Sequence, residues 1–188
     1  MGQKSKTAGI FLILLLIVLF WTIIFYFYSP EEIVYQIGIN NGYLVLFLSA
    51  ALGGVSTITA SSFYATVFTF TSGGLNPLLV GLIGGAGITI GDSFFYYLGY
   101  RGRNIVSKKL NSYLEKISNW LNESEKWRVQ LFIFIYSGFT PFPNDLMTIP
   151  LGLNMYTYKN IFLPLLIGNI CAVTLFALGA YYIPRLFS

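Results

Sequence analysis

YSGFTPFPNDLMTIPLG, residues 136–152, follows the apolar run Leu131–Ile135 and leads into a further apolar segment. It carries three prolines, two glycines, an asparagine and an aspartate. Proline removes a backbone donor and stops a helix, and lipid holds no water to replace the lost hydrogen bond. Broken backbone at membrane depth is tolerated only where protein or a wet cavity surrounds it. Transporters place their binding sites at such breaks. The stretch therefore predicts a re-entrant turn, a hairpin that enters the bilayer and leaves on the same side.

The composition supports an embedded chain. With 55% hydrophobic and 10% charged residues over 188 positions, it reads as one compact helical membrane unit. There is no histidine and one cysteine, Cys171, inside an apolar segment. Disulfide frameworks, zinc sites and Ser-His or Cys-His nucleophiles are thereby disfavoured, so the expectation is no enzyme, no cofactor and no metal. The net charge of +4 raises the question of nucleic acid. Its lysines and arginines instead flank apolar segments, as topology-setting charges do. Membrane lipids with acidic headgroups are the expected partner, nucleic acid is not, and a homo-oligomer is compatible with the sequence.

Working outward along the chain, residues 9–28 form a first span behind Lys4 and Lys6. The run is too long for a signal-peptide core and no small-residue cleavage site follows it, so residues 1–28 read as an uncleaved anchor. Pro30-Glu31-Glu32 then opens a short helix, with proline at a first-turn position. No charge follows until Asp92. Within that stretch, residues 43–52 and 60–71 are apolar, but Gly53–Thr59 (GGVSTIT) separates them. Each half falls short of the roughly 20 residues that cross a bilayer. A full span is expected over 77–99. Residues 101–122 repeat apolar positions at threes and fours against lysines and asparagines, predicting an amphipathic surface helix. Asn122 with Glu125 forms a candidate capping pair for the next helix. A second re-entrant segment over 126–156 and a last span over 160–183 complete the pattern.

Parity tests this order. With Lys4 and Lys6 inside, a single crossing over 43–74 would strand the basic segment 101–126 outside, against the positive-inside rule. A segment that enters and returns keeps those charges inside. The predicted architecture is an all-α integral membrane fold. It has about three full spans, two opposed re-entrant hairpins related as an inverted repeat, and a cytoplasmic amphipathic helix. The domain behind the anchor covers 29–188.

Asp92 lies within the 77–99 span, and an ionisable group there is costly enough to count as a functional candidate. At 100° per residue, Gly81, Gly85, Ile88, Asp92, Tyr96 and Gly99 fall within about 40° of one face. The glycines have close-packing spacing. Asp92 admits a structural alternative, bonding to hairpin backbone or reaching Arg101 or Arg103. Asn144 and Asp145 follow Pro141 and Pro143. They are expected either to cap a half-helix or to line a hydrated groove. Thr57 and Thr59 in the first break read as hydroxyls that satisfy free backbone groups.

GITIGDSFFYYLGYRGR, from Gly87 to Arg103, resembles the signature of the DedA/VTT (SNARE-associated Golgi protein-like) membrane family, a glycine-rich span with Gly-Asp, a tyrosine and Gly-x-Arg. Phe139-Thr-Pro141-Phe-Pro143-Asn144-Asp145-Leu146, with Gly152 and Phe162 downstream, resembles its second block. The resemblance covers roughly residues 43–183. It implies two opposed hairpins around a central polar site and transport of phospholipid or polyprenyl-phosphate headgroups. Two departures stand out. The first hairpin here has no acid, and the second lacks the arginines that bacterial members place after the proline motif. Both weaken the case for proton coupling and phosphate capture and favour passive scrambling.

The expected activity is thus a scramblase or flippase. Asp92, Asn144, Asp145, Pro141, Pro143, Thr57, Thr59 and Tyr96 would form the path, with Arg101 and Arg103 docking headgroups. The alternatives are a proton- or cation-coupled small-solute transporter using Asp92 and Asp145, and a non-transporting membrane-assembly factor. The expected location is an archaeal or bacterial plasma membrane, with the N-terminus cytoplasmic.

Overall fold

The computed structural model describes residues 23, 27, 30–53, 57–102 and 108–183, and these form helices and no strand. The anchor expected over 1–28 lies, but for Ile23 and Phe27, outside the described residues, as does Arg103. Among the described residues there are eight helices: α1 Pro30–Ile37, α2 Ile39–Gly53, α3 Thr57–Ser72, α4 Pro77–Gly102, α5 Lys108–Glu123, α6 Lys126–Phe139, α7 Asp145–Leu153 and α8 Tyr158–Tyr182.

Two of them are long and apolar enough to cross a membrane. α4 has 26 residues with mean hydropathy 1.6, and α8 has 25 residues with 2.3. At about 1.5 Å per residue each exceeds the roughly 30 Å hydrocarbon thickness. The arms α2, α3, α6 and α7 have 15, 16, 14 and 9 residues, and each falls short of that length. The outer faces of the long helices are apolar: Leu78, Leu82, Ile90 and Phe94 on α4, and Leu163, Ile167 and Leu175 on α8, are all exposed. A continuous apolar exterior of this kind marks a surface made for lipid or another apolar partner.

α4 and α8 run antiparallel, with Gly81 against Thr174 and Gly85 against Ile170 at one end, and Ser93 bonded to Tyr158 at the other. The remaining arms pair with them by an exchange rule. α2 packs on α4 and α6 on α8, while α3 packs on α8 and α7 on α4. Exchanging α2, α3 and α4 for α6, α7 and α8 maps these four pairings onto one another, but α2 also packs on α3 whereas α6 makes no comparable contact with α7. Each end of the α4–α8 pair carries its own apolar core. One core includes Leu46, Phe63, Val67, Val80, Ile88 and Val173; the other includes Tyr96, Ile133, Met147, Leu151, Ile161 and Leu165. On α4 the level between Ile88 and Tyr96 belongs to neither, and on α8 the level between Leu165 and Val173. Asp92 and Asn169 occupy those levels.

Several boundaries differ from the sequence-based expectation. α4 continues through Arg101 and Gly102, so Arg101 belongs to the long helix. Of the three prolines in 136–152, only Pro141 and Pro143 sit in the break; Pro150 lies within α7, and Pro164 lies within α8. A buried neighbour can hold a helix through the one bond that proline deletes, because tertiary contacts outweigh the local propensity. Asn122 and Glu125 do not form a capping box. Glu125 is itself the N-cap residue of α6 and makes no side-chain cap bond; its carboxylate meets Trp127 and Arg128 instead. α3 ends at Ser72-Gly73-Gly74, where Gly74 takes φ +104 and Leu75 N–H returns to Phe70 O at 3.0 Å.

Tyr96 fastens α4 to the α7–α8 turn by donating to Tyr156 O at 2.7 Å, with its ring against Tyr158. Tyr96→Phe is expected to lower stability by about 1 kcal/mol, the usual net worth of one such bond. Thermal unfolding in detergent reads this; an unchanged midpoint would mean that packing alone fastens the turn.

Candidate functional site

The polar level between the two cores is a closed set of hydrogen bonds from three elements. Asp92 on α4 is fully buried at 0% exposure, and Asn169 on α8 is 1% exposed. Asn144, in the break between α6 and α7, reaches both: its Nδ2 donates to Asp92 Oδ2 and to Asn169 Oδ1, each at 2.8 Å. Asn169 Nδ2 donates to Asp92 Oδ2 at 2.8 Å and to Thr89 Oγ1 at 3.0 Å. Thr89 Oγ1 donates in turn to Gly85 O at 2.7 Å. A carboxylate only accepts, so both amides must turn their N–H groups toward Asp92, which fixes their orientation.

Local sequence explains how each group arrives. Gly85 and Gly168 admit backbone where a side chain would stand, Gly85 against Ile170 and Gly168 against Phe134 and Ser137. That brings α4, α8 and α6 together at the polar level. Pro141 and Pro143 contribute no backbone N–H, so the chain between Phe139 and Asp145 leaves the helix and turns Asn144 inward. Tyr136 Oη holds that turn by donating to Pro143 O at 3.2 Å.

A cavity of about 610 Å³ opens onto this level. Its polar floor is Asp92, Asn144 and Asn169, and its walls include Phe63, Tyr64 and Ile88. Phe139, Phe142, Leu175 and Phe176 line it and are also exposed, so the rim is apolar. Asp92 Oδ1, buried among these groups, has no hydrogen-bond partner among the described residues. The cavity lining contains no lysine or arginine.

Placement of the expected site residues is uneven. Asp92, Asn144, Pro141 and Pro143 meet at the cavity. Asn144 is the N-cap residue of α7, yet it makes no side-chain cap bond; its amide serves Asp92 and Asn169 instead. Asp145 begins α7, half-buried and outside the cavity lining, where Oδ1 accepts from Leu146 N–H at 2.9 Å. Tyr96 lies in the second apolar core, away from the cavity. Thr57 and Thr59 open α3, and their side chains lie outside the described set. Arg101 is exposed nine residues beyond Asp92, about 14 Å along α4 and at the end opposite the cavity.

Asn169 and Thr89 are additions that the sequence reading missed. A signal was present: Ile167-Gly168-Asn169 echoes Ile90-Gly91-Asp92, and the two hydrogen-bonded partners each follow an Ile-Gly pair on a long apolar helix.

The family model described as the VTT domain matches residues 57–182. No curated protein and no solved structure gives a match.

Proposed function

The chain belongs to the VTT-domain family, and from that premise we propose that it is a membrane-embedded lipid transporter of the scramblase or flippase type. The carrying observation is the cavity, polar at its floor and apolar at its rim. An amphiphile fits that division: its headgroup settles on Asp92, Asn144 and Asn169 while its chains leave past Phe139, Phe142 and Phe176. Volumes of roughly 300–1,000 Å³ suit ligands of headgroup size.

In the membrane arrangement that goes with this proposal, the anchor, α4 and α8 cross fully. The short pairs α2–α3 and α6–α7 enter from opposite faces and turn back at their breaks. The basic helix α5 lies on the cytoplasmic surface, and the N-terminus is cytoplasmic. The sub-spanning lengths of the four arms and the crossed way they pack on α4 and α8 support it.

The two symmetry-related gates differ. α7 closes on α4 at backbone distance, with Gly99 against Ile149 and Gly152 against Tyr96. Its counterpart α3 meets α8 through side chains, with the Tyr64 ring edge-on to Phe176 and Ser72 Oγ donating to Ala180 O at 3.2 Å, and the cavity lies beside Ala60 and Tyr64. The α7 side is thus packed at backbone distance, whereas the α3 side borders the cavity. Exchanging the two packings would carry a headgroup past Asp92 and open the end where Arg101 and Arg103 can gather phosphates.

Full-length protein reconstituted in liposomes with a tail-labelled phospholipid tests the proposal. Dithionite bleaches only outer-leaflet label in empty vesicles; the protein is expected to carry the loss beyond that plateau. A trace equal to that of empty vesicles would refute lipid transport. A second reading, cation-coupled solute transport, is favoured by the unpartnered Oδ1 of Asp92. Proton uptake lost in both Asp92→Asn and Asp145→Asn would select it over scrambling.

A further inference from the structure

The hydrogen-bond count at the cavity floor fixes the sign of what it can hold. An asparagine amide has two N–H donors. Asn144 spends both on Asp92 and Asn169, and Asn169 spends both on Asp92 and Thr89. The hydroxyls beside them are also committed: Ser137 Oγ donates to Ile133 O at 2.8 Å, and Thr140 Oγ1 donates to Tyr136 O at 2.7 Å. Tyr64 excepted, the polar side chains lining the cavity retain no donor. What remains is an acceptor, the buried Asp92 Oδ1, which has no partner among the described residues.

A phosphate needs several donors and positive charge; the lining side chains carry no positive charge and, Tyr64 aside, no uncommitted donor. An ammonium group carries only donors. It would complete the fourth corner of the cluster, place its charge on the one carboxylate in the cavity, and gain from the aromatic lining. Phe63 and Tyr64 form part of the cavity wall, and ring faces attract cations within about 6 Å. Without a positive partner, a buried charge at this depth is expensive.

We propose that the Asp92 cavity selects ligands by an ammonium group, so that the transported lipid is one with an amine-bearing headgroup, its nitrogen turned toward the Asp92 carboxylate at the cavity floor. The lipid part of this statement rests on the transporter reading above; the ammonium part does not. Phosphate contacts then fall outside the floor, toward the rim or the basic ends of the helices.

Two measurements on the full chain separate the parts. In detergent, thermal unfolding is followed with short-chain phosphatidylethanolamine, with phosphatidylglycerol of the same chains, and with free ethanolamine. The amine lipid is expected to bind about tenfold tighter than the glycerol lipid, the worth of one charge-assisted bond. Asp92→Asn should bring the ratio near one. Ala172→Lys, which adds an ammonium to the same cavity wall, should do so as well and guards against a misfolded Asp92 variant. Equal affinity of the two lipids in the wild type would overturn the proposal, as would a preference that survives both substitutions. Free ethanolamine binding as tightly as the lipid would uphold the ammonium site and assign it to a solute. In liposomes, tail-labelled versions of the two lipids are compared. An amine preference in binding with no transport of either lipid would remove the transporter reading and leave the site standing; transport without any preference would do the reverse.

Discussion

Gly85→Val is expected to abolish the folded state. A Cβ at residue 85 would stand 2.6 Å from the backbone nitrogen and Cα of Ile170, atoms that cannot rotate out of the way. α4 and α8 would have to separate, and they form the largest interface in the chain. Overpacking a close contact typically costs 1–3 kcal/mol and more when backbone must move. Here separation also pulls Asp92 away from Asn169, so the loss should sit at or beyond about 3 kcal/mol. A control is Gly102→Ala on the same helix, where an added Cβ meets nothing within 4 Å. Detergent-solubilised yield and size-exclusion profile compare the two. A monodisperse Gly85→Val protein with a wild-type unfolding midpoint would show that the helices are not held at glycine distance.

Asn169→Leu should cost nearly as much, for an electrostatic reason. It removes one of the two amides that donate to Asp92 Oδ2 and leaves a buried carboxylate held by Asn144 alone. Breaking a buried charged cluster by deleting one partner costs about 3–5 kcal/mol, whereas replacing the whole set is often nearly neutral. The double variant Asp92→Asn with Asn169→Leu should therefore recover a large share of the loss, because no charge remains to be left unpaired. A double-mutant cycle on unfolding free energies measures this. Additive costs, with no recovery, would mean that Asp92 carries no charge in the folded protein or that Asn169 acts by shape alone.

These two sites divide what sequence reading can reach. The close-packing spacing of Gly81 and Gly85 is visible in one dimension, because a helix repeats and its face is computable. Which partner the glycines admit is not: Gly85 meets α8, Gly87 meets α2 from nearly the opposite face, and Gly99 meets α7. Asn144 was legible as a polar residue at a break. Its assignment between capping and lining needed the actual neighbours, since both uses begin from the same local pattern. Asn169 shows the opposite weakness. A single asparagine in a 25-residue apolar helix draws little notice until Asp92 is found 2.8 Å away.

The arginines mark a further limit. Arg101 follows closely on Asp92 in sequence and so suggested a shared site. A helix converts nine residues into about 14 Å of axial distance, and that separates the arginine from the cavity. Tyr96 lies on the computed face of Asp92 but one turn further along, and one turn is enough to pass from the polar level into an apolar core.

The sequence by itself determined the class of the fold: apolar runs, their lengths and the proline and glycine breaks are local, and bilayer thickness and backbone hydrogen bonding act on them directly. It also determined the family, through two motif blocks in order, and the matching family model spans 57–182. Only the tertiary structure decided what the centre is made of. Asp92, Asn144 and Asn169 are separated by 52 and 25 positions, and nothing local links them. They meet because glycine contacts bring α4, α6 and α8 within reach, and because a buried carboxylate must gather donors from whatever chain passes beside it. The break at 140–144 began as the place where lipid forbids a broken helix. In three dimensions it is where one side chain, Asn144, closes that cluster.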